Sequence, residues 1–317
     1  MFYGEILSIL TAMTWTVTAL CADVASRRMG QLQMNVLRMG ASLIILGLIL
    51  WVATGSPLPQ HMNGEALAWL LASGAVGYVF GDYCLFTTYV LVGSRIGQLF
   101  MTLAPLFSAL TAWLLLGETL SLQAIAGIVV TITGIGVVVR GKDPSKSPRQ
   151  GRLSFPVDNT APAAPLPDGR GWGWVFFGIG AGMGQGVGIV LSKVGMGLCE
   201  ETPLLPMAAT MVRAVAGFAG FGIAYYLRGD RARMRAGLRD RTTMKAATGT
   251  IIMGPVIGVS LSLLAVQLAP AGIASTLMAL TPVFILWPSR WLFKQPITAR
   301  ELIGSVIAVA GVALFFL

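Results

Sequence analysis

The sequence predicts an all-α integral membrane protein with ten transmembrane helices arranged as two inverted five-helix repeats. Three observations lead to this fold class: the composition, the number of long apolar stretches, and a repeated motif. Of 317 residues, 55% are apolar and 11% are charged, and the mean hydropathy is +0.77. A soluble domain usually carries about 25% charged residues. The alternating pattern of a membrane β-barrel is absent, so a helical bundle is the remaining way to satisfy the backbone in lipid.

Long apolar stretches give the number of predicted helices, because about 20 apolar residues cross the hydrocarbon layer as one helix. They cover residues 5–25, 33–53, 66–92, 96–116, 121–139, 172–194, 203–227, 246–268, 272–292 and 299–317, numbered below as spans 1 to 10.

Basic residues mark one side of the predicted bundle. All of the 22 lysines and arginines except Arg38, Lys193 and Arg213 fall in or beside the connections between spans 1 and 2, 3 and 4, 5 and 6, 7 and 8, or 9 and 10. We call this end the basic side. Because connections rich in lysine and arginine stay in the cytoplasm, the sequence predicts a multi-pass protein of the cytoplasmic (inner) membrane with both termini outside. The arginine-rich run at 228–241 is then expected to face anionic membrane lipid, and we expect no nucleic-acid partner.

A polar, proline-rich segment divides the chain into two halves. Residues 141–171, GKDPSKSPRQGRLSFPVDNTAPAAPLPDGRG, predict a flexible linker. Residues 1–140 then form a first repeat with spans 1–5, and residues 172–317 form a second repeat with spans 6–10.

A repeated motif relates the two halves. MTLAPLF at 101–107 is echoed by MALTPVF at 278–284, and the same offset of 177 pairs three glycines with glycines: Gly81 with Gly258, Gly127 with Gly304, and Gly134 with Gly311. Since five is an odd number of spans, the second repeat must enter the membrane from the opposite face. Such inverted repeats form a bundle that can open to either side around a site near the midplane. The pattern therefore predicts alternating access.

Four features of the chain are shared with a known family. They are Trp15 in span 1, an arginine early in spans 2 and 7, the proline of LAPLF and LTPVF, and LLLGETLSLQAIAGIVVTITGIGVVV at 114–139. In these features the chain resembles the EamA-type members of the drug/metabolite transporter superfamily over nearly its whole length outside the linker. The resemblance implies ten helices and transport of a small polar metabolite, often outward.

Two features depart from the family pattern. KQP at 294–296 stands where the first repeat has GET at 117–119, so the acidic turn expected after span 9 is missing. Family members are also generally drawn with both termini inside, whereas the charge distribution favours termini outside.

Asp82 lies well inside span 3. Placing a charged side chain at the centre of a membrane helix is unfavourable by about 3 kcal/mol or more, so such a residue usually has a functional or structural role. A carboxylate at this depth can bind and release a proton as the site faces each side of the membrane, so Asp82 is the candidate for proton coupling. The structural alternative is a fixed ion pair with Arg38 or Arg213 that holds two helices in register.

Arg38 and Arg213 occupy corresponding places in spans 2 and 7. A guanidinium group can hold a carboxylate or phosphate in bidentate geometry, which makes both residues candidates for substrate binding. Both also lie near helix starts, where a long side chain can extend to the membrane interface in a structural role.

Glycines dominate the middle of span 6, GIGAGMGQGVG at 178–188. Gly178, Gly182 and Gly186 form one predicted stripe on a helix, and the intervening glycines, Gly180, Gly184 and Gly188, form another. We therefore expect two neighbouring helices to approach closely. Gln185 is the polar side chain of this stretch and is predicted to face the cavity.

Aromatic and amide side chains within the spans supply further candidates for a substrate site, because such sites are mostly apolar with a few placed polar groups. For each of them, a packed interior position is the alternative. With Arg38, Gln185 and Arg213, the predicted set comprises Trp15, Asn35, Tyr83, Tyr89, Gln98, Ser260 and Gln267.

Two short patterns predict local architecture. Thr298 and Glu301 have the spacing of a capping box at the start of span 10. Asp23 lies four residues before Arg27, which predicts a surface ion pair near the basic side.

The predicted function is secondary active transport of a small polar or amphipathic, amino-acid-like metabolite, with export favoured by the resemblance. One alternative is an importer, exchanger or flippase of an anionic substrate, whether carboxylate, phosphate or lipid-linked. Another is a non-transporting scaffold or receptor, suggested by 228–241 and the linker. The sequence has no HExxH or phosphate-loop motif, and its cysteines lack CxxC spacing. We expect no enzyme activity, cofactor or metal, and a monomer or homodimer.

Overall fold

The computed structural model describes residues 3–58, 62–117, 121–140, 172–200, 202, 204–268, 277–294 and 296–316. Every regular element within these ranges is helical. The 141–171 linker and Glu118, the acidic residue of the GET turn, lie outside the described residues.

The described residues form the following helices. In chain order they are α1 (Tyr3–Met29), α2 (Gln31–Thr54), α3 (Gly64–Gly74), a first π segment (Ala75–Asp82), α4 (Tyr83–Val92), α5 (Ser94–Met101), α6 (Ala104–Leu116), α7 (Leu122–Val139), α8 (Gly173–Gly197), α9 (Leu205–Arg228), α10 (Arg231–Arg239), α11 (Arg241–Ile251), a second π segment (Ile252–Gly258), α12 (Val259–Leu268), α13 (Thr281–Phe284), α14 (Leu286–Phe293) and α15 (Ala299–Phe316).

Seven helices in the described part of the chain are long and apolar enough to cross a membrane: Tyr3–Met29, Gln31–Thr54, Gly64–Val92, Ser94–Leu115, Leu122–Val139, Gly173–Gly197 and Leu205–Arg228. They correspond to predicted spans 1–7. Many large apolar side chains point outward from the bundle, such as Val52 and Leu122, which are 88% and 86% exposed. An apolar exterior suits lipid rather than water, and the protein is a multi-pass membrane protein.

Two stretches depart from the sequence prediction. Span 4 is interrupted at Thr102 and Leu103, directly before the helix that carries Pro105 near its start, since proline cannot supply the N–H that a continuous helix needs there. The arginine-rich run at 228–241, predicted only as a charged connection, contains α10, whose first turn Asp230 caps by accepting a bond from the N–H of Arg233.

The glycines of α8 pack as predicted. A methyl group added at Gly182 would lie 2.8 Å from the carbonyl oxygen of Phe100, on the α5 side. One added at Gly184 would lie 2.5 Å from the Cα of Gly81, in the first π segment. The two glycine stripes therefore let α8 lie in backbone contact with two different helical stretches, which confirms the prediction of close approach.

The two π segments begin at residues 75 and 252, the same offset of 177 that relates the repeated motifs. Each lies against the first helix of the other half of the chain. Gly81 contacts α8 through Gly184, and Gly258 contacts α1 through Trp15, whose Nε1 would lie 3.0 Å from an added methyl group. π segments are often found at functional sites, and here both mark places where two helices come together.

Helices α7 and α15 make contacts that are reciprocal under the same offset. Gly127 lies against the carbonyl of Gly311, and Gly134 lies against the carbonyl of Gly304. The hydroxyl of Thr131 donates to the carbonyl of Ala308, its counterpart 177 residues later, at 3.4 Å. Contacts of residue i with j and of j with i are typical of two units related by a two-fold axis.

We expect Gly134→Ala to destabilise the protein by about 1–3 kcal/mol, because the added methyl group would lie 2.4 Å from the backbone nitrogen of Ala308 and neither helix can shift freely. Gly136→Ala on the same helix is the matched control, since no atom lies within 4 Å of its added methyl group. Thermal unfolding of the detergent-solubilised variants measures both. Equal melting temperatures for the two variants would contradict close packing of α7 on α15.

Ion pairs and hydrogen bonds hold the helix ends of the basic side together. Asp23 pairs with Arg27 at 2.5 Å and accepts the N–H of Ser94 at 2.8 Å. The prediction of a surface pair was wrong about its location: Asp23 is only 1% exposed because it caps the start of α5. Arg233 of α10 donates to the carbonyls of Arg27 and Arg28 at the end of α1.

Further pairs connect the two halves at this end. Arg28 pairs with Asp240 at 2.6 Å. Burial acts to raise the pKa of Asp240, but bonds from Thr243, Arg28 and the N–H groups of Thr242 and Thr243 lower it to about 2. Arg95 pairs with Glu301 at 3.5 Å, and Glu301 also forms the predicted capping box with Thr298, which is confirmed.

Candidate functional site

A buried ion pair joins Arg38 of α2 to Asp82 at the end of the first π segment. Arg38 Nη2 donates to Asp82 Oδ2, and the two residues are 9% and 3% exposed. Of the two partners that the sequence left open for Asp82, Arg38 is the one that binds it directly. A guanidinium and a carboxylate in contact compensate much of the cost of burying each charge.

Neighbouring side chains make further contacts with both members of this ion pair. Gln185 of α8 donates from Nε2 to Asp82 Oδ1 at 2.8 Å and to the carbonyl of Gly77 at 3.2 Å. Asn35, one turn before Arg38, accepts a bond from Arg38 Nη2 at 3.1 Å. The guanidinium also lies 4.8 Å from the ring centre of Phe86. Three helical stretches, from both halves of the chain, therefore meet at Asp82.

Arg213 of α9 lies beside the same segment but is held differently. Its guanidinium stacks on Tyr78, 4.7 Å from the ring centre, a favourable cation–π geometry. Its Nε is shielded from solvent and has no hydrogen-bond partner among the described residues. Gly74 and Gly77 allow this approach, since a methyl group on Gly74 would lie 2.8 Å from Arg213 Cα and one on Gly77 would lie 3.1 Å from Nη2.

The structure thus brings five predicted residues into one polar cluster: Asn35, Arg38, Asp82, Gln185 and Arg213. We call this set the central cluster.

The remaining candidates lie in other surroundings. Tyr89 is 1% exposed and its hydroxyl accepts a bond from Gln98 at 2.6 Å. Tyr83 packs edge-on against Phe177, and Trp15 lies beside Gly258.

The side chains of Ser260 and Gln267 lie outside the description.

Sequence reasoning missed the aromatic partners of the two arginines. Tyr78 and Phe86 lie four residues before and four residues after Asp82, so all three share one face of the helical segment. This four-residue spacing was the sequence signal that could have identified Tyr78 and Phe86. It identifies the face of span 3 that meets α2 and α9.

The central cluster carries two guanidinium groups and one carboxylate. Such an arrangement can bind an anionic group, and its carboxylate can exchange a proton if the ion pair opens. Among the described residues, no group of three or more His, Cys, Asp or Glu side chains is placed to hold a metal ion.

One solved protein crystal structure is similar to this chain over 98% of its length and 94% of its own, with a TM-score of 0.60 and 15% identity, which shows a shared fold. A second similarity is to the probable 4-amino-4-deoxy-L-arabinose-phosphoundecaprenol flippase subunit ArnE of Erwinia tasmaniensis. It is 33% identical over 48 residues, which are 15% of this chain and 44% of that protein. The chain thus matches less than half the length of this relative.

A family comparison covers both halves of the chain. The sequence model of the EamA-like transporter family matches residues 2–140 and 172–317, on either side of the linker. This agrees with the resemblance noted from Trp15, the two arginines and the LAPLF and LTPVF motifs, and it confirms the predicted superfamily of drug/metabolite transporters. The chain therefore belongs to the EamA-like transporter family.

Proposed function

We propose that the protein is a secondary active transporter that moves a small polar or amphipathic, amino-acid-like metabolite through a ten-helix bundle of two inverted repeats. Residues 1–140 form one repeat, residues 141–171 the linker, and residues 172–317 the other. Substrate binds between the repeats beside the central cluster, and Asp82 couples transport to protons. The observation that carries the proposal is the buried Arg38–Asp82 pair, at a place where both halves of the chain meet.

Reciprocal contacts support the inverted arrangement. The first helix of each half packs on the third helical stretch of the other half, α1 on α11 to α12 and α8 on α3 to α4. The bond between Thr131 and Ala308 places counterparts face to face, as expected close to a two-fold axis. Because α7 and α15 lie antiparallel at this point, such an axis would run in the membrane plane.

The charge distribution supports an orientation with the basic side in the cytoplasm of an inner membrane and both termini outside. The ion pairs Arg28–Asp240 and Arg95–Glu301 then link the halves at the cytoplasmic end. We propose that these links close that end in one state and separate in the other. Direction is taken as export, in keeping with the family resemblance.

Proteoliposome flux tests the function. Purified full-length protein is reconstituted, and uptake of a panel of labelled amino acids is measured with and without a pH gradient. We expect saturable flux of at least one neutral amino acid that rises when protons flow in the opposite direction. Flux of none of them, together with capture of a protein through the 228–241 segment, would replace transport by the scaffold alternative.

Two observations favour a second candidate function, which is flipping or exchange of an anionic, lipid-linked substrate. The short similarity to a flippase subunit and the presence of two arginines in the central cluster both fit it. Flux of a fluorescent phospholipid analogue between leaflets, with no amino-acid flux, would support this candidate over the first.

A further inference from the structure

We propose that Arg213 is the receptor for the carboxylate group of the transported metabolite. This inference rests on the proposed transport function and specifies its substrate class. Among the described residues, Arg38 pairs with a carboxylate and donates to an amide. Arg213 lies near enough to Asp82 to interact with its charge, but the direct contact of its guanidinium is with the ring of Tyr78. Its shielded Nε lacks an acceptor. A buried donor left without a partner is costly, and an incoming oxyanion would supply that partner.

The two halves of the chain explain why one of the two arginines has no carboxylate paired directly with it among the described residues. Arg38 and Arg213 occupy corresponding places in α2 and α9. At the offset that aligns the two π segments, Asp82 of the first half corresponds to Val259 of the second. The first arginine therefore has a carboxylate from its own half, and the second has valine at the matching position. The substrate would provide the missing negative charge.

The charge balance favours a carboxylate over a phosphate. Arg38, Arg213 and Asp82 together carry one net positive charge. A carboxylate group carries one negative charge and can accept two parallel N–H bonds from a guanidinium. A phosphate monoester carries about −1.5 to −2 at neutral pH and would leave the buried cluster negative.

A second polar side chain, Gln185, lies beside Arg213. A methyl group added at Gly77 would lie 3.1 Å from Arg213 Nη2, and Gln185 Nε2 donates to the carbonyl of the same glycine at 3.2 Å, so both side chains lie beside Gly77. Nε2 of Gln185 is engaged by Asp82 and by the carbonyl of Gly77, and its amide oxygen makes no hydrogen bond with a described residue. That oxygen can accept a bond from an ammonium group, so an amino acid would find a donor and an acceptor beside the same glycine.

The test compares amino acids with their carboxamides, in which a neutral amide group replaces the carboxylate and the ammonium group is kept. Flux of L-leucine and L-phenylalanine is measured against flux of the corresponding carboxamides for wild type, Arg213→Gln, Arg213→Lys and Arg228→Gln. Arg228 is the matched control because it is an exposed arginine at the other end of the same helix. We expect wild type and Arg228→Gln to prefer the acids by about tenfold or more, Arg213→Gln to lose the preference, and Arg213→Lys to keep part of it because it retains charge without the planar fork.

Thermal unfolding in detergent gives a readout independent of transport, since a ligand of the folded state raises the melting temperature. Leucine should stabilise the wild type more than leucinamide or inorganic phosphate, and this difference should vanish in Arg213→Gln. Acid preference that persists in Arg213→Gln, or stronger stabilisation by phosphate, would overturn the assignment. Arg213-dependent stabilisation without any flux would preserve the site and refute the transport function, whereas absence of both would refute the two together.

Discussion

Asp82→Asn is expected to reduce proton-driven solute flux by about tenfold or more and to remove its response to the pH gradient. Asparagine keeps the size of aspartate but has a single acceptor oxygen, so it can accept from Arg38 or from Gln185 but not from both in this geometry, and it cannot bind and release a proton at neutral pH. Flux is measured in proteoliposomes with an imposed gradient and, separately, by exchange without one. If gradient-driven flux persists in Asp82→Asn, the coupling role of Asp82 is wrong and the ion pair is structural.

The same substitution leaves Arg38 buried without its counter-charge, which should lower the free energy of unfolding by about 3–5 kcal/mol. The double variant Arg38→Gln with Asp82→Asn separates folding from coupling, because it removes both charges. We expect the double variant to recover most of the melting temperature lost in Asp82→Asn while remaining uncoupled. Recovery of gradient-driven flux in the double variant would contradict a proton-coupling role.

Arg95→Gln is expected to have the second large effect, because Arg95 joins α5 of the first half to the end of α14 and the start of α15. Its guanidinium donates to Ser289, to the carbonyl of Pro296 at 3.2 Å, and pairs with Glu301. Arg95 and Glu301 are 7% and 3% exposed. Removing one partner of such a pair should cost about 3–5 kcal/mol, measured as thermal unfolding in detergent.

The matched control for Arg95→Gln is the double variant Arg95→Gln with Glu301→Gln. In it neither charge is left unpaired, and the glutamine at position 301 can still accept a bond from the N–H of Thr298. We expect it to be more stable than Arg95→Gln. Loss of the Arg95–Glu301 pair should also increase water access at the basic side. This is measured as the rate at which a maleimide labels Ser94→Cys in a protein without its native cysteines, and we expect the rate to rise. Unchanged stability and unchanged labelling would mean that the pair does not close this end.

Much of the fold could be predicted from local sequence properties. Length and hydropathy predicted spans 1–7, because crossing a membrane requires an apolar stretch of a given length wherever it occurs. The glycine spacing in α8 predicted two close helix contacts, since residues four apart lie on one helix face. The break at Thr102 and the helix within 228–241 were missed, because each depends on a local turn or cap rather than on hydropathy.

The candidate site was less predictable. The cost of burying a charge identified Asp82, Arg38 and Arg213 individually, whereas the environments of the other candidates differ in ways that hydropathy does not encode. Asn35 is fully buried against Arg38, and the hydroxyl of Tyr89 is engaged by Gln98. A polar residue in a membrane helix must find a hydrogen-bond partner, but its sequence does not say whether that partner is protein or substrate.

The sequence by itself determined that this is a helical membrane protein and predicted two related halves, because composition, hydropathy and repeats are properties of the chain alone. Tertiary structure decided that Asp82 pairs with Arg38 and that Arg213 stacks on Tyr78 instead. The choice depends on which helices lie side by side, and glycines such as Gly77 set that distance through backbone contacts between residues far apart in the chain. Helix packing therefore determines which side chain each buried charged residue contacts.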